Sequence, residues 1–216
     1  GLHQRAVVAL NWSPDGRLLA SVGCDDDHTL AIYDWKDNLL LAKARTSKRK
    51  VFSVAFGCLG ERLVTVGVKH IGFWQLHRGG RHLKYSKGLI TASKGKVQAF
   101  MCAVWLNDTA VVGSGDGHFY VFEPENGEPS RQLKVTKKAH DDMVNALCVY
   151  SKGLVSGGKD GMVKVWTREL LPVVEHDIRN CSPCLYPRVR SVDVSPDGKM
   201  ILLGSQGGEI FEMDII

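Results

Sequence analysis

Apolar residues alternate with polar ones in short bursts along the whole chain, and no stretch carries a 3.6-residue stripe. Five bursts open a repeating unit: VVALNW (7–12), VFSVAF (51–56), AFMCAV (99–104), VNALCV (144–149) and VRSVDV (189–194). If Trp12, Phe56, Val104, Val149 and Val194 are equivalent, the spacings are 44, 48, 45 and 45 residues. That period is the length of one four-stranded propeller blade. Third strands are expected at LAIYDW (30–35), IGFWQL (71–76), FYVFE (119–123), VKVW (163–166) and EIFEM (209–213).

Turn residues fall in register with the strands. Ser13-Pro14-Asp15-Gly16 and Ser195-Pro196-Asp197-Gly198 share one slot, with Gly60 and Gly153 read as equivalents of Gly16. Proline presets φ and glycine accepts positive φ, so these are hairpin turns. Second turns follow at Cys24 to His28, Val68 to His70, Gly115 to Gly117, Gly158 to Gly161 and Gln206 to Gly208. The reading is an all-β WD-repeat β-propeller with five four-stranded blades, at roughly 1–43, 44–90, 91–135, 136–180 and 181–216. Five such blades rarely close a ring, so the segment is expected to belong to a larger propeller whose remaining blades lie in the same longer chain.

The fourth unit holds His140, Ser156, Asp160 and Trp166, a serine, histidine and aspartate that resemble a catalytic triad. The register gives them another task. His140 enters the first strand, Ser156 ends the second, Asp160 lies in the next turn and Trp166 on the third strand, positions that in WD repeats form a buried chain of hydrogen bonds. Fragments recur as His3, Ser21 and one of Asp25 to Asp27 with Tyr33, and as Asp116 with Phe122. The second unit keeps Thr65 and Trp74 but has Val68-Lys69-His70 where an aspartate is expected, so Lys69 and His70 read as exposed turn residues. The fifth has Gly207 there.

Composition narrows the function. At 216 residues, 44% hydrophobic and 24% charged, the chain has enough apolar content for a folded core. No run reaches the roughly 20 apolar residues of a membrane helix, and residues 1–5 lack a signal peptide's apolar centre. The letters N-x-S/T at Asn11, Asn107 and Asn180 therefore carry no weight. Six cysteines, mostly single within strand-like runs, read as reduced core thiols. Cys181-Ser182-Pro183-Cys184, even with His176 nearby, lacks a second pair to complete a metal site, and 168–187 reads as an irregular surface insertion. Gly113-Ser114-Gly115-Asp116-Gly117 lacks the lysine and helix of a phosphate loop. Neither metal, cofactor nor catalytic activity is expected.

The net charge of +5 comes partly from clusters: Lys43, Arg45, Lys48, Arg49 and Lys50; Arg78, Arg81, Lys84 and Lys87; Lys134, Lys137 and Lys138. Exposed aromatics do not interleave with them, which argues against nucleic acid. Inter-blade loops and second turns of a propeller emerge on one face, and Lys48, Arg49, Lys50, Lys69, His70, Lys94, Lys96, Lys137, Lys138 and Lys159 map there as candidate partner contacts. Asp25, Asp26, Asp27, Asp116, Asp141 and Asp142 map to the same face, so its charge is mixed.

Five stretches together resemble successive blades of the echinoderm microtubule-associated protein-like family. They are DDDHTLAIYDWK (25–36), LVTVGVKHIGFWQ (63–75), MCAVW (101–105), KAHDDMVNAL with KGLVSGGKDGMVKVW (138–147 and 152–166), and ILLGSQGGEIFEMD (201–214). The Lys69-His70 turn departs from the general WD pattern as that family does. The resemblance implies a tandem propeller pair that binds tubulin or microtubules in the cytoplasm, at the cytoskeleton. It also implies an N-terminal coiled coil and basic segment in many members. The alternative is a general WD scaffold or substrate receptor in a multiprotein complex.

Overall fold

A computed structural model describes residues 2–77, 82–125, 130–181 and 186–215. Arg78, Arg81, Ser182, Pro183 and Cys184 lie outside the described residues. Two compact units are present: the chain up to Val112 with Tyr120–Thr136, and Gly113–Phe119 with the chain from Lys137 onward.

The alternating bursts are antiparallel strands. The first sheet holds β1 (Val7–Trp12), β2 (Leu18–Gly23), β3 (Thr29–Asp34) and β4 (Leu39–Arg45) in chain order. The second repeats this with β5 (Val51–Phe56), β6 (Arg62–Gly67), β7 (His70–Leu76) and β8 (Leu83–Lys87). The third contains β9 (Phe100–Leu106), β10 (Thr109–Ser114), β11 (His118–Phe122) and β12 (Val135–Lys138), and the fourth β13 (Val144–Tyr150), β14 (Gly153–Gly158), β15 (Met162–Thr167) and β16 (Pro172–Asp177). The fifth has three strands among the described residues, β17 (Val189–Val194), β18 (Met200–Ser205) and β19 (Ile210–Asp214), where four were expected. Five consecutive antiparallel sheets of this kind are the blades of a β-propeller segment.

The second strands of the first four sheets are buried on both faces along most of their length, which explains why they read as runs of small and apolar residues rather than as clean alternation. In the first unit Ala20, Val22, Leu30 and Ile32 of the first sheet pack against Val54, Phe56, Leu63 and Trp74 of the second. A second cluster joins Val64, Val66 and Ile71 to Phe100, Trp105, Val112 and Phe122. The other unit packs Val155, Val163 and Val165 against Val189, Ile201 and Leu203. Leu10 and Trp12 occupy the positions of Val54 and Phe56, yet are 60% and 50% exposed, so the far face of the first sheet is apolar and open.

Three expectations are corrected. Within 168–187, Pro172–Asp177 is not irregular but is β16, the fourth strand of its sheet, and a 3-10 turn (Ile178–Asn180) follows it. Gly16, Gly60 and Gly198 share a φ of 66 to 70°, but Gly153 is a strand residue of β14. A Cβ there would lie 2.0 Å from the Trp166 carbonyl oxygen, so close approach rather than turn geometry demands the glycine. Among the described residues only Cys102 is a buried thiol: Cys24 and Cys148 are half-buried, while Cys58 and Cys181 are exposed.

Candidate functional site

Ser156 sits inside β14 rather than at its end, facing the third strand. The Trp166 indole N–H donates to Ser156 Oγ at 2.9 Å, and that hydroxyl is 2.7 Å from His140 Nε2. His140 Nδ1 lies 3.0 and 3.1 Å from the two Asp160 oxygens. With an acceptor-only carboxylate at one end and a donor-only indole at the other, the protons run one way: Trp166 to Ser156, Ser156 to His140, His140 to Asp160. Burial pushes the Asp160 carboxyl up, but the bond from His140 and the amides of Met162 and Asp141 hold it below its ordinary value. Ser156 and His140 are 0% and 1% exposed, so the serine and histidine of the triad-like trio are buried.

Other blades build local versions. His3 Nε2 reaches Ser21 Oγ at 2.7 Å, whereas its Nδ1 stands 3.8 Å from Asp25, beyond hydrogen-bond range. Asp25 instead accepts from the Thr29 amide and hydroxyl. In the third sheet Ser114 Oγ donates to Asp116 at 2.6 Å, with His118 Nδ1 3.1 Å from the same carboxylate. In the fifth, Ser205 Oγ donates to Glu209. These last two serines end their second strands, two residues beyond the Ser156 position, so the fourth repeat's spacing does not point to them.

The second blade overturns the reading of His70. It is 7% exposed, and its Nε2 is hydrogen-bonded with Thr65 Oγ1 at 2.9 Å, while the Trp74 indole N–H donates to the same oxygen at 2.9 Å. Thr65 and Trp74 stand diagonally across β6 and β7, two residues out of register, as Ser156 and Trp166 do across β14 and β15. A hydroxyl and an indole at those positions demand a third polar partner, and His70 supplies it from the turn. Burial, with smaller contributions from His28 and Lys87, lowers its pKa from 6.5 to about 4, so the ring is neutral at pH 7. His70 therefore leaves the exposed set.

Backbone bonds gather the loops that carry the basic residues. The residue before each first strand accepts from the following turn in four blades: Cys24 N to Ala6 O, Val68 N to Lys50 O, Lys159 N to Met143 O and Gln206 N to Arg188 O, each 2.8 Å. Turns also bind the next loop, as in Thr46 N to Asp27 O at 3.1 Å and Lys69 N to Gln98 O at 2.8 Å. His28 and Lys69 hold φ of 46° and 53° immediately before β3 and β7, where Gly117 and Gly161 hold 82° before β11 and β15. Lys69 thus takes a strained glycine position, and its side chain points into solvent.

In the first unit Lys48, Arg49, Lys50, Lys69, Lys94 and Lys96 are all exposed, with no ion pair among the described residues. The 94–98 loop is fastened from below. Tyr120 OH accepts from the Lys96 amide at 3.0 Å, donates to Lys96 O at 3.0 Å and meets Gln98 Nε2 at 3.1 Å. The other unit offers less. Lys138 is exposed, but Lys137 Nζ donates to Leu170 O at 2.6 Å and lies 5.9 Å over the Trp166 ring, and Lys159 pairs with Asp142 at 2.9 Å. Those two lysines serve the fold. Near the first cluster, Asp26 pairs with Arg5 and Asp27 with Arg45, which neutralises much of the acidic run.

No group of three metal-ligand side chains occurs among the described residues. Cys148 is chemically quiet, because burial and the neighbouring Asp193 push its thiol up to about 12. The arrangement is a set of buried polar hydrogen bonds beneath loops bearing cations.

A family model described as the echinoderm microtubule-associated protein first β-propeller matches residues 1–213. The 77 kDa echinoderm microtubule-associated protein of Strongylocentrotus purpuratus is 30% identical over 174 residues, covering 78% of this chain and 25% of its own. Echinoderm microtubule-associated protein-like 2 of Mus musculus is 32% identical over 184 residues, covering 82% and 27%. Cilia- and flagella-associated protein 44 of Mus musculus is 26% identical over 174 residues, covering 80% and 9%. The chain thus spans about a quarter of the length of the two echinoderm-type relatives.

Proposed function

The chain belongs to the echinoderm microtubule-associated protein family, matched as a first β-propeller over residues 1–213, and on that premise we propose that it is a non-catalytic module that binds tubulin or microtubules through its loops. The relatives' names supply the partner, and they favour the cytoskeleton of the cytoplasm as its place of work. One observation carries the contact surface: Lys48, Arg49, Lys50, Lys69, Lys94 and Lys96 stand exposed on loops joined by backbone hydrogen bonds within one unit. In the other unit Lys138 is exposed as well. An acidic partner such as tubulin would be drawn to these cations at long range, which raises encounter rate and salt sensitivity more than final affinity.

The test is co-sedimentation of the chain with soluble tubulin and with polymerised microtubules across a salt series. Binding should fall steeply towards roughly 0.3 M salt, where charges more than a few ångströms apart are screened. A Lys48→Glu/Lys50→Glu/Lys69→Glu variant should bind more weakly at low salt while melting at the wild-type temperature. Unchanged binding by that variant would sink the loop assignment, and no binding to either form of tubulin would sink the partner.

A further inference from the structure

We propose that a groove of about 610 Å³ in the first unit is a second docking site, taking an extended acidic peptide segment that carries one bulky apolar side chain. It goes beyond the loop contacts in place and in mode. The groove is lined by Arg62 at the start of β6 and Gln75 near the end of β7, whereas the Lys69 turn joins the opposite ends of those strands. Six residues of strand separate the two, about 20 Å.

The floor is apolar and already rigid. Phe73 meets Trp105 edge to face at 6.1 Å and Phe122 at 5.2 Å, so its ring is held from two sides. Leu89, 43% exposed, forms part of the wall, and its backbone is fixed by bonds from Leu89 N to Arg131 O and from Leu133 N to Leu89 O, both 2.8 Å. The volume is in the range of preformed ligand clefts, and a site that needs no reorganisation spends little of its binding energy on ordering.

The rim selects charge. Lys84 and Arg131, from two different segments, line the groove with no ion pair among the described residues. Arg62 is a third cation, engaged by Asp108 at 3.8 Å and by Gln75 Oε1 at 3.3 Å, and Glu125 is the one acidic residue among the described residues of the lining. Carboxylates on either side of an apolar anchor would meet Lys84 and Arg131, while the anchor fills the space over Phe73, Trp105 and Leu89. That combination describes a short acidic segment of another protein, with aromatic or leucine side chains as the anchor.

Fluorescence anisotropy with a labelled Glu-Glu-Phe-Glu-Glu peptide tests the site on the intact chain. Saturable binding is expected, weakened about tenfold or more when alanine replaces the peptide's phenylalanine and again in a Lys84→Glu/Arg131→Glu variant. Both protein side chains are exposed, so the variant should keep the wild-type melting temperature, and Lys48→Glu should keep wild-type peptide affinity even if the tubulin reading fails. Equal affinity for the alanine peptide would reduce the groove to an anion patch and overturn the proposal. So would an unaltered Lys84→Glu/Arg131→Glu affinity, absent binding, or sedimentation showing that the groove is filled by a second copy of the chain.

Discussion

His70 closes a turn and then folds back onto Thr65, its Nε2 2.9 Å from the hydroxyl that the Trp74 indole also uses. The consequence is a pH window. Folded, the ring holds a proton with a pKa of about 4, against 6.5 when unfolded, mainly because burial disfavours the imidazolium. The unfolded chain therefore takes the proton first as pH falls. Stability from this group is complete above pH 6.5 and is lost as pH drops towards 4, by at most roughly 3 kcal/mol. A His70→Gln variant should melt lower at pH 7 and show a flatter melting profile between pH 6.5 and 4. An identical slope in both proteins would refute the assignment.

Removing the end and the middle of the fourth-blade chain should cost unequal amounts. Asp160→Asn keeps the size but forfeits the charge that accepts from His140, Asp141 and Met162, for a loss of about 2 kcal/mol. Ser156→Ala leaves both the Trp166 indole and His140 Nε2 buried without their partner, so about 3 kcal/mol is expected. Urea denaturation of the two variants measures the order, which fails if Ser156→Ala is the milder.

Glycines that look alike in sequence separate sharply in cost. Gly16 has φ 66° and nothing within 4 Å of an added Cβ, so Gly16→Ala should cost about 1 kcal/mol of backbone strain. At Gly153 the added carbon would lie 2.0 Å from a backbone oxygen of β15, which cannot swing aside. Gly153→Ala should therefore cost about 3 kcal/mol or more by forcing β14 and β15 apart. Comparable unfolding midpoints for the two variants would contradict this.

The strands were legible because each needs a local pattern of alternation ended by turn residues, and both are written within six or eight positions. The fourth strand of the fourth sheet was not, since Pro172-Val-Val-Glu-His-Asp177 is an outer strand with mixed exposure and opens with proline. Its identity comes from pairing with β15, a long-range fact. The His140 chain followed from the register together with what those positions do in WD repeats. The Thr65, His70 and Trp74 group required an accounting of buried polar atoms, which the sequence permits once Thr65 and Trp74 are seen to face one another. The engagement of Lys137 and Lys159 had no local sign, because Leu170 O and Asp142 come from other loops.

Tyr120 offers the cleanest link between a buried pin and the exposed cations. Its hydroxyl accepts from the Lys96 amide, donates to the Lys96 carbonyl and meets the Gln98 side chain, so one group fastens both sides of the loop that presents Lys94 and Lys96. Tyr120→Phe keeps the ring, and with it the edge contact to Phe100 at 5.1 Å, but leaves the Lys96 amide to find water. A modest loss of about 1 to 2 kcal/mol should accompany faster hydrogen exchange confined to the 94–98 loop. Because ordering that loop must then occur on contact, tubulin binding at low salt should weaken without any change in net charge. A variant with fast exchange but undiminished binding would show that Lys94 and Lys96 lie outside the contact surface.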